Sequence, residues 1–376
     1  MKAAELARLA GADHASALSC RGQIAELALA ARNASVLRTA VPRTAESRSF
    51  GSVEEYARFL AGRTVCLTLL AGAGSRWVAS LAAAREGGRG RPFDPSRPRG
   101  LYPVRDFLTA PEGRGAVPIA AYAIAATRAL GRRVIVVRGW EREIEEEILE
   151  PVDGAMGGRG GERSFFEQEA PFGKPLGHGD AAWQCRSLWE GAEYVVANFG
   201  GDANSRRTIL SSLLALDALR AGGQEADLLI PAARVPGPAY PIRLDDAGFP
   251  RDFGHAKLRG GAGAGAEASA EATGASFGYT NVGVRVYRAS ALLAGVAHFR
   301  SRHWVPGEGY TIPGNDPAGK EFALDNVDAM IAADGRARML AIARPEELTP
   351  AKTVDDIPAF ERAVESVVRE DGATRG

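Results

Sequence analysis

From Thr64 onward, short apolar runs alternate with stretches of helical periodicity, and this alternation constrains the fold more than any other feature of the chain. TVCLTLL (64–70), RVIVVRG, YVVANFGG and ADLLIPAARV read as buried strands. Between them AVPIAAYAIAATRAL, EREIEEEILE and SRRTILSSLLALDALRAGG read as helices, the last closed by glycines. Further on, FGYTNVGVRVYR is strand-like, EFALDNVDAMIAADG is helical and RARMLAIAR is a strand, with a closing helix from about Ile357 to Arg369. Such an order predicts an α/β fold, a mixed but mostly parallel sheet covered by helices, with ligands beyond the carboxyl ends of the strands.

Residues 1–60 have a different texture. IAELALAARNASVL and SVEEYARFLAG carry apolar residues at helical spacing, and Ser52 with Glu55 makes a capping box, so an N-terminal helical segment is expected there. Residues 61–370 are expected to form one catalytic domain. The low-complexity stretch at 260–276 is expected to be a mobile loop within it, because strand-like sequence resumes directly afterwards.

The chain has 376 residues, 45% of them hydrophobic, which suffices for a large core. Lys and Arg number 46, as do Asp and Glu, so no overall field holds nucleic acid or an anionic membrane. Neither partner is expected, and any phosphate site must be built locally. Cys20, Cys66 and Cys185 match no zinc or disulfide spacing, which points to a reducing compartment. The N-terminus lacks an uninterrupted apolar h-region, and no run approaches the roughly 20 apolar residues that cross a bilayer. A soluble, cytoplasmic protein is expected.

Five segments could carry chemistry. In LLAGAGSRW a strand enters Gly72-Ala73-Gly74-Ser75-Arg76, where exposed N–H groups and one arginine would favour a polyphosphate. The third glycine of the dinucleotide fingerprint is missing, and no Gly-Lys-Ser/Thr follows. RPRGLYPV presents Arg99 on a segment stiffened by prolines. SFFEQEAPFGKPLGHGDAAW gathers Lys174, Gly177, His178, Gly179 and Asp180 before a helix, a place that favours anions or a closely approached planar base. In VVANFGGDAN a strand ends in two glycines and Asp202, which is placed to share a magnesium ion with substrate phosphates or to cap the next helix. RPEELTPAKTVDDI offers Lys352 ahead of the last helix.

Taken in order, these segments resemble the UTP-dependent sugar-1-phosphate uridylyltransferases, a group that includes the UDP-glucose and UDP-N-acetylglucosamine pyrophosphorylases. The resemblance runs through Gly72, Gly74 and Arg76 of the first loop, Pro98-Arg99-Gly100, Phe166-Glu167-Gln168 with Pro171, the Gly-His-Gly-Asp turn at 177–180, Asp202, the TNVGV strand around Asn281, and Pro350-Ala351-Lys352-Thr353. It spans roughly residues 60–365. The family's lysine after Pro98 is Arg99 here, and the arginine-rich segment 78–98 is longer than usual.

The resemblance implies a GT-A-like, Rossmann-like nucleotidyltransferase fold, with UTP and a sugar 1-phosphate as partners. Arg76, Arg99 and Lys352 would be catalytic. Gly72, Gly74, Gln168, Gly177 and His178 would bind nucleotide, Asn281 would face the sugar, and Asp202 would hold Mg²⁺. Two other classes remain compatible with the sequence: a GT-A-type glycosyltransferase, although the Asp-x-Asp pair is absent, and a homologue that binds nucleotide sugars without catalysis.

Overall fold

The computed structural model describes residues 58–373, apart from 73, 89–90, 111, 159, 222, 237, 239–240, 247–248, 253–276, 314 and 316–319. The expected N-terminal helices before residue 58 and the loop at 260–276 lie outside the described residues.

The expected α/β architecture is present. Eight strands form one sheet: β1 (Thr64–Leu69), β2 (Arg132–Val137), β3 (Glu162–Glu167), β4 (Tyr194–Phe199), β5 (Leu228–Pro236), β6 (Phe277–Asn281), β7 (Val284–Arg288) and β8 (Ala337–Ala343). Its order is β6-β5-β7-β4-β1-β2-β3, with β8 along β5. The β1, β2, β3 and β4 pairings are parallel, as is β5 with β8. Only β6 and β7 run antiparallel to their neighbours. The sheet is thus mixed and mostly parallel, compatible with a Rossmann-like fold.

Seven main helices pack on it among the described residues: α1 (Ser75–Glu86), α2 (Ala120–Thr127), α3 (His178–Gln184), α4 (Arg206–Ala221), α5 (Ala289–His303), α6 (Leu324–Ala333) and α7 (Ile357–Ala373), of which the sequence reading did not anticipate α1 and α5. They cover both faces of the sheet, and the strands show it residue by residue. Val65, Leu67, Val134, Val136, Val195 and Ala197 join the core under α3, α5 and α6. Their neighbours Cys66, Ile135, Val137 and Val196 point the other way, into cores that α1, α2, α4 and α7 close. This period of two, apolar on both faces, is what a covered parallel sheet requires.

Three local readings differ from the sequence expectation. The stretch AVPIAAYAIAATRAL is helical only from Ala120; Ala116–Pro118 pairs instead with Pro103–Arg105 as a short ribbon. Pro103 and Pro118 face each other at one end of that pair, where a missing N–H is tolerated. EREIEEEILE is helical but interrupted by a π turn over Glu145–Leu149. SFFE, read only as part of a binding loop, is most of edge strand β3.

Candidate functional site

The carboxyl ends of β1, β2, β3 and β4 share one edge of the sheet, and three of the segments singled out from the sequence follow the ends of β1, β3 and β4. After β1 the chain turns through Gly72 and Gly74 into α1. A methyl group on Gly72 would meet nothing within 4 Å, so this backbone faces open space. Gly74 adopts a left-handed conformation (φ 61°) at the start of α1, and Arg76 is exposed on the first turn. The N-terminus of α1 therefore faces outward at the strand end, a position that favours anions.

Arg99, Asp202 and Lys352 come together from three distant segments. Arg99 begins a short 3₁₀ turn after Pro98. Its guanidinium lies against Gly201, so closely that a methyl there would sit 2.6 Å from Nη2. Asp202 follows directly and rests its carboxylate on Gly283. The 350–354 segment is tied to the same loop: the Ala351 N–H donates to the Gly201 carbonyl at 2.9 Å, and the Val354 N–H donates to Ser80 Oγ on α1 at 3.1 Å. Asp356 holds the intervening turn, accepting from the N–H groups of Lys352 (3.0 Å) and Thr353 (2.7 Å). Lys352 itself is exposed.

The electrostatics of this group are coupled. Burial pushes the Asp202 carboxyl above the usual range, while Arg99, Lys352 and Arg285 draw it back down. Burial lowers the Arg99 guanidinium from its ordinary value. Asp202 opposes that shift, Arg76 adds to it and Asp356 opposes it. Arg76 is thus near enough to Arg99 for the two cations to repel, an arrangement that a bound polyanion would relieve.

A second group lies across β4. Gln168, just past β3, is buried, and its amide nitrogen donates to the Gly177 carbonyl at 3.1 Å. Gly177 has φ 93° and lies so close to Phe322 that a methyl would fall 2.4 Å from its carbonyl oxygen, so only glycine fits. His178 opens α3; its Nδ1 accepts from the Leu324 N–H at 2.9 Å, and its ring meets Phe199 edge-on at 5.0 Å. Asp180 faces inward as an anchor. Tyr310 Oη and Gln184 Nε2 each donate to it at 2.6 Å, and burial raises its carboxyl above the usual range.

Asn281 ends β6, two residues before Gly283, on which the Asp202 carboxylate rests. The structure therefore gathers Arg76, Arg99, Asp202 and Lys352 into one group and Gln168, Gly177 and His178 into another. Sequence reasoning assigned no role to Gly283, to Arg285 or to Asp356, although Asp356 lay within the element that carries Lys352. A glycine inside a strand pattern is itself a signal of close approach, and TNVGV carried it.

Among the described residues, no group of three or more His, Cys, Asp and Glu side chains is placed to hold a metal ion, and no helix is long and apolar enough to cross a membrane. No family model matches the chain, and no curated protein matches it in sequence.

Proposed function

We propose that the chain is a GT-A-like nucleotidyltransferase that moves UMP from UTP to a sugar 1-phosphate, releasing pyrophosphate. The observation that carries this reading is the convergence of Arg99 and Lys352 on one carboxylate, Asp202, with Arg76 beside Arg99, at the carboxyl edge of a mostly parallel sheet. Three cations from three remote segments suit a reaction between two polyanions, which the uncharged chain as a whole would not attract.

The chemistry needs no covalent enzyme intermediate. A phosphate oxygen of the sugar 1-phosphate attacks the α-phosphorus of UTP, forming one P–O bond. The bond to the β-phosphate bridging oxygen breaks, and its electron pair leaves with pyrophosphate. Arg76 and the N-terminus of α1 hold the triphosphate. Arg99, fixed against Gly201, and Lys352, held by the Asp356 turn, meet the charge that develops on the transferring group and the leaving group. Gln168 and Gly177 face the base, and Asn281 faces the sugar.

Asp202 is the residue that would hold Mg²⁺. Asp202 is half-buried at a strand end, and a single carboxylate there fits an ion that takes further oxygens from phosphates. When bound, the ion reduces repulsion between the two phosphate groups.

The deciding experiment is pyrophosphate release with UTP, magnesium and a panel of sugar 1-phosphates. Release that depends on one of those sugars supports the reading. Sugar transfer from a UDP-sugar to an acceptor without pyrophosphate release would replace it with the glycosyltransferase reading. Binding of UDP-sugar with no turnover would replace it with a binding role.

A further inference from the structure

Buried charge is concentrated at one place that the proposed chemistry does not use. Arg285, on β7, is almost wholly inaccessible, and so is Asp328 on α6. Arg285 Nε donates to Asp328 Oδ2 at 2.6 Å, and its Nη2 donates to Asp325. Tyr287, next on the same strand face, donates its hydroxyl to the other oxygen of Asp328. The two carboxylates hold the guanidinium charged, raising it above its ordinary value despite burial.

These contacts belong to a closed ring. The Arg285 guanidinium lies 5.4 Å from the centre of the Phe199 ring. The same ring meets His178 edge-on at 5.0 Å. His178 Nδ1 is held by the N–H of Leu324, the first residue of α6, and Asp325 comes next. The path runs from His178 through Phe199, Arg285 and Asp325 to Leu324, and back to His178. It passes through Phe199, the last residue of β4, which leads into Gly200, Gly201 and Asp202. Arg285 lies two residues after Gly283, the seat of the Asp202 carboxylate, and its charge acts on that carboxylate.

A packed apolar set would serve stability as well as a buried ion pair does. What an arginine fork adds is fixed geometry, because its planar donors hold two carboxylates in set directions. We propose that Arg285 is a positioning residue that registers the His178 turn against the strand end carrying Asp202. What the two sides bind rests on the nucleotidyltransferase reading; the ring itself does not.

The test uses the full chain with Arg285→Lys, which keeps a buried charge but cannot present a planar fork to two carboxylates. An Nδ1 that accepts a hydrogen bond requires the Nε2–H tautomer, and ¹⁵N NMR reads the tautomer directly. The chain has five histidines, so the His178 signals can be assigned by substitution. In the parent, His178 should show a single Nε2–H tautomer. In folded Arg285→Lys it should show a mixture, and UTP affinity measured by calorimetry in EDTA should fall about tenfold. The loss should not add to that of His178→Gln, because both break one ring.

A purely structural arginine would behave differently. It would lower the melting temperature, leave the His178 tautomer and UTP affinity at parent values, and overturn the proposal. If Arg285→Lys does not fold, Asp325→Asn carries the same measurements. If the parent binds no UTP, the nucleotide reading fails, and the tautomer comparison alone decides whether Arg285 positions His178.

Discussion

Gly283 and Asp202 touch so closely that a methyl group on Gly283 would lie 1.6 Å from Asp202 Oδ2. The bend between β6 and β7 therefore leaves one space for that carboxylate, and any side chain at Gly283 takes it. Gly283→Ala should turn Asp202 out of its seat while Val282 and Val284 keep the neighbouring core. Pyrophosphate release should drop about a hundredfold, as for a carboxylate displaced from its working geometry, with a melting temperature near that of the parent. Parent-level turnover in a folded Gly283→Ala protein would mean that Asp202 does not act from this position.

Arg99 and Lys352 are held by different devices, the first by packing on Gly201 and the second by the turn that Asp356 caps. A charge-assisted contact to phosphate contributes about 1.5–3 kcal/mol. Where that contact strengthens only in the transition state, Arg99→Ala and Lys352→Ala should each slow turnover by roughly one to two powers of ten. Arg99→Lys keeps the cation and should retain most activity. Steady-state kinetics on the three variants is the check. If both alanine variants match the parent, these are solvated charges and the proposed mechanism fails.

The arrangement around Gln168 sharpens the expected nucleotide preference. Its amide nitrogen is engaged by the Gly177 carbonyl, and Asp180 is a further partner. The amide oxygen is thus the atom to meet a base, as an acceptor. Uracil offers a ring N–H to it, whereas cytosine presents a lone pair at that position. The mismatch should cost CTP about 1–3 kcal/mol relative to UTP. Competition binding of UTP against CTP measures this directly, and equal affinities would remove Gln168 from base recognition.

Much of the fold was legible because burial on both faces of a parallel sheet writes itself as short apolar runs such as 64–70 and 194–199. The ends of those runs also gave the loops where Arg76 and Asp202 lie, whereas the strand before Gln168 was not legible. Other parts were hidden because their cause is not local. Ala116–Pro118 looked helical, since apolar periodicity continues into α2, yet it pairs with a strand that only tertiary structure supplies. Arg285 reads in sequence as one polar residue in a strand. Its partners Asp325 and Asp328 read as the polar face of a helix, and only the packing of α6 over β7 turns three ordinary charges into one buried network. Gly177 and Gly201 were visible as glycines, but Phe322 and Arg99, which require them to be glycines, lie far along the chain.

Asp217 gives a prediction that is independent of the candidate site. It lies on α4, accepts a hydrogen bond from the Tyr194 hydroxyl at 2.6 Å, and burial pushes its carboxyl up to about 6, with Arg220 opposing the shift. In the unfolded chain the same group releases its proton near the ordinary value of 3.8. Between those two values the folded state binds more protons than the unfolded state, so stability falls as pH rises. The contribution is fully present below the unfolded value and is lost as pH passes through about 6. Asp217→Asn removes the titration and keeps an amide oxygen for Tyr194. It should be more stable than the parent by roughly 1–3 kcal/mol at pH 8 and much less so at pH 4.5, since a unit of pKa shift corresponds to about 1.4 kcal/mol. Urea unfolding at the two pH values is the measurement. A difference between the two proteins that does not change with pH would show that Asp217 is ionised in the folded state at both, and that the Tyr194 contact, not burial, sets its energy.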